Sequence, residues 1–228
     1  MRIRPLHRWD LPVSEARRLQ ERLAAQVVEA APPGFRPRLV AGADMSHRRG
    51  DPWLYGAVVL WDRETGRTVE TATARTQASF PYVPGFLSFR EGPVLLEAFG
   101  RLKRRPDAAL FDAQGRAHPR SFGLACHLGL WLDLPSVGCA KTRLCGEPAE
   151  PGPAPGDRTA LLMRGRRIGT VLRTRHGSKP VFVSIGQRID LESAEALVVG
   201  CLGGYRLPEP TRLAHLAVNA FRRSCENP

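Results

Sequence analysis

Long apolar runs are what this sequence lacks first. Its 228 residues contain no stretch of about 18 or more apolar residues, which excludes a membrane-spanning helix. The opening residues 1–20 are basic and carry no apolar core of the secretory kind, so a cytoplasmic location is expected. Cysteine is sparse and unpatterned. Cys126, Cys139, Cys145, Cys201 and Cys225 are odd in number and form no CxxC pair, which argues against a disulfide framework and against a zinc site. Buried, reduced thiols are expected instead. No Ser/His/Asp or Cys/His spacing suggests a covalent nucleophile. Lysine is nearly absent: of 34 basic residues only Lys103, Lys141 and Lys179 are lysines.

What the sequence does have is charge of one sign. Lys and Arg exceed Asp and Glu by 34 to 22, a formal net charge of +12. Such a surplus favours a polyanion, because every phosphate contacted releases condensed counterions. A coding bias toward arginine would give a similar excess, and the scarcity of lysine fits that too. It also means that a retained lysine stands out. The 43% hydrophobic fraction is enough for a sizeable core, and the length fits one domain over residues 1–228, expected to act as a monomer.

Hydrophobic spacing predicts a helix over 13–30, with Leu19, Leu23 and Val27 on one face and Ser14 as its cap. Strands are expected at 39–46, 55–61 and 68–78, joined by short Gly-, Asp- and Pro-rich links at 47–54 and 62–67, hence an antiparallel meander. The period then changes. A helix is expected over 91–104, a short buried strand over Ala108–Phe111, a helix over 121–133 and a strand over 136–140. Strand, helix, strand in that order implies parallel pairing through a crossover. Residues 146–157, dense in Pro and Gly, read as a loop. Strands at 168–173 and 180–185 and helices at 193–202 and 211–221 complete an α/β fold: a mixed sheet flanked by helices.

Three carboxylates draw attention. Asp44 interrupts the apolar strand Leu39-Val40-Ala41-Gly42-Ala43, Asp112 closes Ala-Ala-Leu-Phe at another strand end, and Glu91 opens the expected helix at 91–104. Singly, each could be a turn or helix-terminus residue. Together they are harder to dismiss, since the expected topology places the first and fourth strands side by side with the 91–104 helix across them. Converging carboxylates make the hard, oxygen-rich site that Mg²⁺ or Mn²⁺ prefers. Lys141, just past the strand at 136–140, offers a compact ammonium suited to a phosphate. His118 and His215 are weaker candidates. The stiff segment Pro81-Tyr82-Val83-Pro84-Gly85 could present a rigid apolar wedge between bases, or fold down onto the core.

The string Pro81-Tyr82-Val83-Pro84-Gly85-Phe86-Leu87-Ser88-Phe89-Arg90-Glu91 closely resembles the signature of the endonuclease V family. Gly42-Ala43-Asp44, His118-Pro119-Arg120, Val137-Gly138-Cys139-Ala140-Lys141 and Tyr205-Arg206-Leu207-Pro208-Glu209-Pro210-Thr211-Arg212 resemble its remaining blocks, in order. The resemblance implies a ribonuclease H-like fold, in agreement with the topology above. It implies metal-dependent nicking of DNA at the second phosphodiester bond 3′ to deoxyinosine, leaving 3′-hydroxyl and 5′-phosphate ends, with Mg²⁺ as cofactor and Mn²⁺ as substitute. Carried over by motif, Asp44, Glu91 and Asp112 are the metal ligands, with His215 near a second metal. Lys141 and His118 would lie near the scissile phosphate and Tyr82 with its neighbours would form the wedge. Leu87, Gly123, Leu124 and Leu144 would lie near the lesion pocket.

One position departs from the family pattern. Asp112-Ala113-Gln114-Gly115 stands where the family usually shows Asp-Gly-x-Gly, and a glycine there permits close backbone approach or a positive φ. Lesion preference is the property this departure touches. Inosine in RNA as the main substrate, or a binder of deaminated bases that does not cut, are the alternative readings.

Overall fold

The computed structural model describes residues 1 and 3–226. They form a nine-stranded mixed sheet in the order β3-β2-β1-β4-β5-β9-β8-β7-β6. The expected meander is present as β1 (Leu39–His47), β2 (Trp53–Asp62) and β3 (Arg67–Gln77), paired antiparallel. The crossover units follow as α2 (Leu87–Gly100), β4 (Ala108–Phe111), α3 (Leu124–Leu132) and β5 (Ser136–Ala140), with β4 parallel to both β1 and β5. Beyond β5 the sheet turns antiparallel again through β9 (Val181–Gln187), β8 (Arg166–Leu172), β7 (Arg158–Met163) and the two-residue β6 (Glu147–Pro148). α1 (Val13–Ala24), α4 (Leu191–Val199) and α5 (Glu209–Glu226) complete it. No helix among the described residues is long and apolar enough to cross a membrane.

Alternation along β2 shows how the sheet is covered. Leu54, Val58 and Leu60 enter one apolar cluster with Val94, Leu95 and Phe99 of α2 and Leu128 and Leu132 of α3. Tyr55 and Ala57, on the opposite face, pack against Val218 of α5. Both faces of β2 are therefore buried, and its sequence reads as a continuous apolar run.

Several expected boundaries move, each for a physical reason. α1 ends at Ala24, six residues before the expected limit, although Val27 is buried as its spacing required. The chain leaves the helix through a turn, and the Val28 N–H donates to the Gln187 side chain at 2.8 Å. Ser14 lies inside that helix; Pro12 holds the cap position and makes no side-chain bond. α2 starts at Leu87 and takes Pro93 into its interior, so Glu91 sits in its second turn and is not its first residue. It packs on β2 and β3 more than on β1. α3 starts at Leu124 because Ser121 adopts a left-handed φ of 50°. The span 146–157 is loop except for β6, and β7 was not anticipated. Both lie at the far edge of the sheet, where a partly exposed strand shows little apolar alternation.

Candidate active site and base pocket

Register brings the first two carboxylates together. β1 and β4 pair in parallel with Ala43 opposite Phe111, so Asp44 and Asp112 are each the next residue along neighbouring strands. β4 also pairs with β5, Phe111 opposite Gly138, which puts Lys141 at the same sheet end. The Lys141 ammonium forms an ion pair with Asp112. Asp44 Oδ1 accepts from the Met45 N–H at 2.9 Å, and Asp44 Oδ2 is 2.8 Å from His215 Nδ1.

His215 reaches Asp44 because β1 carries no side chain at Gly42. A Cβ there would lie 2.0 Å from the Pro210 carbonyl carbon and oxygen, so glycine alone lets the first turn of α5 rest directly on the strand. His215 then projects from the second turn of α5 onto the face that Gly42 and Asp44 share. Asn219, one turn further, bonds to the His215 ring at 3.3 Å and to its carbonyl at 2.9 Å.

Glu91 approaches from α2. It is half-buried, and its desolvation together with the charges of Asp44 and Asp112 pushes its carboxyl up to about 8. Burial, and then Asp112, raises Asp44 as well, against the His215 and Met45 hydrogen bonds that lower it. The three acids thus stand within electrostatic reach of one another, as expected from topology. Among the described residues no three of His, Cys, Asp and Glu already enclose a point for an ion. Asp44 and Asp112 are instead turned to His215 and Lys141.

Beside the carboxylates opens a pocket of about 410 Å³. Asp112 and Lys141 form one wall; Tyr82, Val83, Pro84, Gly85 and Leu87 form another. Ala113, Gly123, Leu124 and Leu144 complete the expected set, and Pro81 is the one expected base-contact residue outside the lining. Tyr82 is 69% exposed, so it is not packed onto the core. Its loop is nevertheless anchored: Phe80 and Phe86 on either side are buried, with stacked rings 6.2 Å apart. The Gly85 carbonyl accepts from Arg120 Nη2 at 2.6 Å and from Gln20 Nε2 at 3.1 Å, and lies 3.0 Å from His118 Nε2. His118 is therefore buried against this loop. Burial and the neighbouring Arg120 lower its pKa to about 4, which keeps it neutral near pH 7.

Ala113 is buried in the pocket wall and is not among the residues with positive φ. Glycine at this position is thus not required by backbone conformation, and only the space taken by its methyl group distinguishes it. Sequence reasoning missed Gln20, Ser88, Gln114, Thr142 and Arg143 in the lining. All are polar residues inside or beside motifs already singled out, except Gln20, which carries no local signal of its own.

A family model described as Endonuclease V matches residues 21–216. A protein of Rhodospirillum centenum named endonuclease V is 50% identical over 221 residues, covering 95% of this chain and 92% of that one. The crystal structure of Streptomyces avermitilis endonuclease V superposes with a TM-score of 0.89 at 38% identity, covering 99% of this chain and all of the other. Endonuclease V of Ciona intestinalis, in complex with a 24mer DNA containing an inosine followed by a ribo-adenosine, shares the fold at 22% identity. Its TM-score is 0.81, over 93% of this chain and 98% of that one.

Proposed function

This chain belongs to the endonuclease V family, and from that premise we propose that it nicks DNA at the second phosphodiester bond 3′ to deoxyinosine, leaving 3′-hydroxyl and 5′-phosphate ends. The observation that carries the reading is the meeting of Asp44, Asp112 and Lys141 on neighbouring strands, with Glu91 of α2 within reach of both acids, beside an open pocket with an exposed aromatic loop. The inosine-containing strand bound by the Ciona relative supports the same substrate class. A binder that does not cut has no use for three mutually repelling acids.

The donor set fits a hard divalent cation. Three carboxylates within reach of one another repel, and all their candidate ligand atoms are oxygens, the choice of Mg²⁺ or Mn²⁺. Asp44, Glu91 and Asp112 would hold the ion, with His215 orienting Asp44 through its Nδ1. When bound, the cation supplies positive charge at the scissile phosphate and acidifies water.

The chain's own residues do the rest. Lys141 Nζ leaves Asp112 for the phosphate and offsets the negative charge that develops there. The pocket takes the extruded base, at a cost of a few kcal/mol that is least for a mispaired purine. Tyr82 fills the space left in the stack, and the Gln20–Arg120–His118 grip on Gly85 holds its loop in place. His118 acts here as a positioning residue.

The test is a cleavage assay on matched DNA and RNA strands, each with a single inosine, in Mg²⁺ and in Mn²⁺, with the product ends mapped. The expected result is one nick in the DNA strand, between the first and second nucleotides 3′ to inosine. Cleavage confined to the RNA strand would transfer the same site to an endoribonuclease, and tight binding without a nick in either strand would make the protein a binder.

A further inference from the structure

Gln114 is 8% exposed and lines the base pocket. Its two amide atoms have different fates. Nε2 donates to the Thr142 carbonyl at 2.8 Å, whereas Oε1 is buried and has no hydrogen-bond partner among the described residues. A buried acceptor left without a donor is costly, and one that persists calls for an explanation. Flipping the amide does not relieve it, because an oxygen would then face the Thr142 carbonyl.

The backbone beneath this side chain is clamped. A Cβ on Gly138 would lie 2.5 Å from the Gly115 nitrogen and 2.6 Å from the Ala113 oxygen; one on Gly123 would lie 2.2 Å from the Gln114 oxygen. The Gly115 N–H donates to Ser184 Oγ at 2.9 Å and the Gln114 carbonyl accepts from the Ala125 N–H at 3.1 Å. Gln114 is thus held by its backbone and by its Nε2 bond, which leaves Oε1 as an acceptor with no donor of its own.

Deamination of adenine changes one edge of the base. The ring N1, a lone-pair acceptor in adenine, becomes an N–H donor in hypoxanthine, and the 6-amino group becomes a carbonyl. A fixed acceptor answers that change directly: two lone pairs repel where adenine enters, and N1–H donates where hypoxanthine does. We propose that Gln114 is a specificity residue whose Oε1 accepts the N1–H of the extruded base. The proposal rests on the pocket being the base pocket. Guanine also carries an N1–H, so Gln114 separates hypoxanthine from adenine and gives no discrimination against guanine.

The experiment measures binding by fluorescence anisotropy in EDTA, which keeps cleavage out of the readout. Labelled strands carry hypoxanthine, unsubstituted purine (whose N1 is an acceptor) or an abasic site, against wild type, Gln114→Met and Gln114→Ala. Wild type is expected to prefer hypoxanthine over purine by roughly ten- to a hundredfold, the worth of one well-placed base contact. In Gln114→Met that ratio should fall toward one while abasic-strand affinity is unchanged, a base-by-variant cycle that isolates the contact. Gln114→Ala, which only removes atoms, gives the same reading should the methionine variant fold poorly. An unchanged hypoxanthine-to-purine ratio in a folded variant overturns the proposal alone. A wild type that binds all three strands equally overturns the base-pocket reading with it.

Discussion

Ala113 is the residue at which this chain departs from its family's pattern, and its surroundings define what the departure can do. It is buried in the pocket wall directly after Asp112, with ordinary negative φ. Its methyl therefore acts by crowding, and crowding of one methyl costs about 1–3 kcal/mol where neighbours cannot give way. Ala113→Gly is expected to raise inosine-directed nicking relative to undirected nicking by roughly tenfold. Metal affinity should stay unchanged, because Asp112 and its ion pair with Lys141 are untouched. Comparing wild type and variant on inosine, uracil and undamaged strands measures this; identical selectivity profiles would mean that the loop has absorbed the methyl. The residues at this scale were unevenly legible in sequence. Asp44 announces itself as a charge within an apolar strand, Asp112 as one that closes another, and Lys141 as a rare lysine. Gln114 and Gln20 do not, because a neutral amide at a pocket wall looks the same in sequence as one at the surface.

Among the elements, the close contact of α5 with β1 and the anchored loop before α2 invite opposite expectations. Gly42→Ala places a Cβ against the Pro210 backbone, which cannot rotate aside as a side chain would. The helix must lift, at a stability cost on the order of 1–3 kcal/mol, and His215 should lose its 2.8 Å contact with Asp44. A lowered melting temperature together with reduced nicking is the expected outcome; wild-type values for both would show that α5 can shift freely. Tyr82→Ala should behave differently. The ring is exposed, so stability is expected to stay within about 0.5 kcal/mol of wild type, while cleavage of a duplex falls more than that of a single strand. Equal losses on both would remove the wedge role. Element types followed from periodicity wherever both faces of an element were informative, as in β1, β2, β4 and β5. The start of α2 did not, because a proline two residues after Glu91 suits a first turn, and this helix carries it in the interior. β7 went unseen because a strand next to the sheet edge with few buried positions has little period to read.

Over the whole molecule, charge and buried histidines set the response to solution conditions. With a net charge of +12, binding to undamaged duplex should weaken steeply as salt rises, since phosphate contacts dominate that term. A flat dependence would mean that the arginine surplus reflects coding bias. His7, His118 and His127 each make folding less favourable in acid, all being lowered chiefly by burial, His118 to about 4. Near pH 6.5 and below, the unfolded chain takes up protons that the folded histidines refuse. The histidine contribution to stability is therefore fully present above that value and declines as pH falls toward about 4, by up to roughly 3 kcal/mol for His118 alone. Glu91, raised to about 8, stabilises the fold over the same fall in pH, so the histidine effect is read as a difference: between pH 7.5 and 5 the wild-type denaturation midpoint should lose ground against that of His118→Gln, and parallel profiles would contradict neutral burial.

We propose that Asp44 within β1 and Asp112 just past β4, with Glu91 of α2, would hold the divalent ion that strand cleavage requires. Asp112→Asn tests it most directly, because it preserves shape and removes one charge. Nicking of an inosine-containing DNA strand in Mg²⁺ and binding of the same strand in EDTA are measured on the one variant. The account predicts cleavage reduced by at least about a thousandfold, of the order seen when an electrostatic catalytic group is removed, with binding near wild type. Near-wild-type turnover of Asp112→Asn in Mg²⁺ would contradict it.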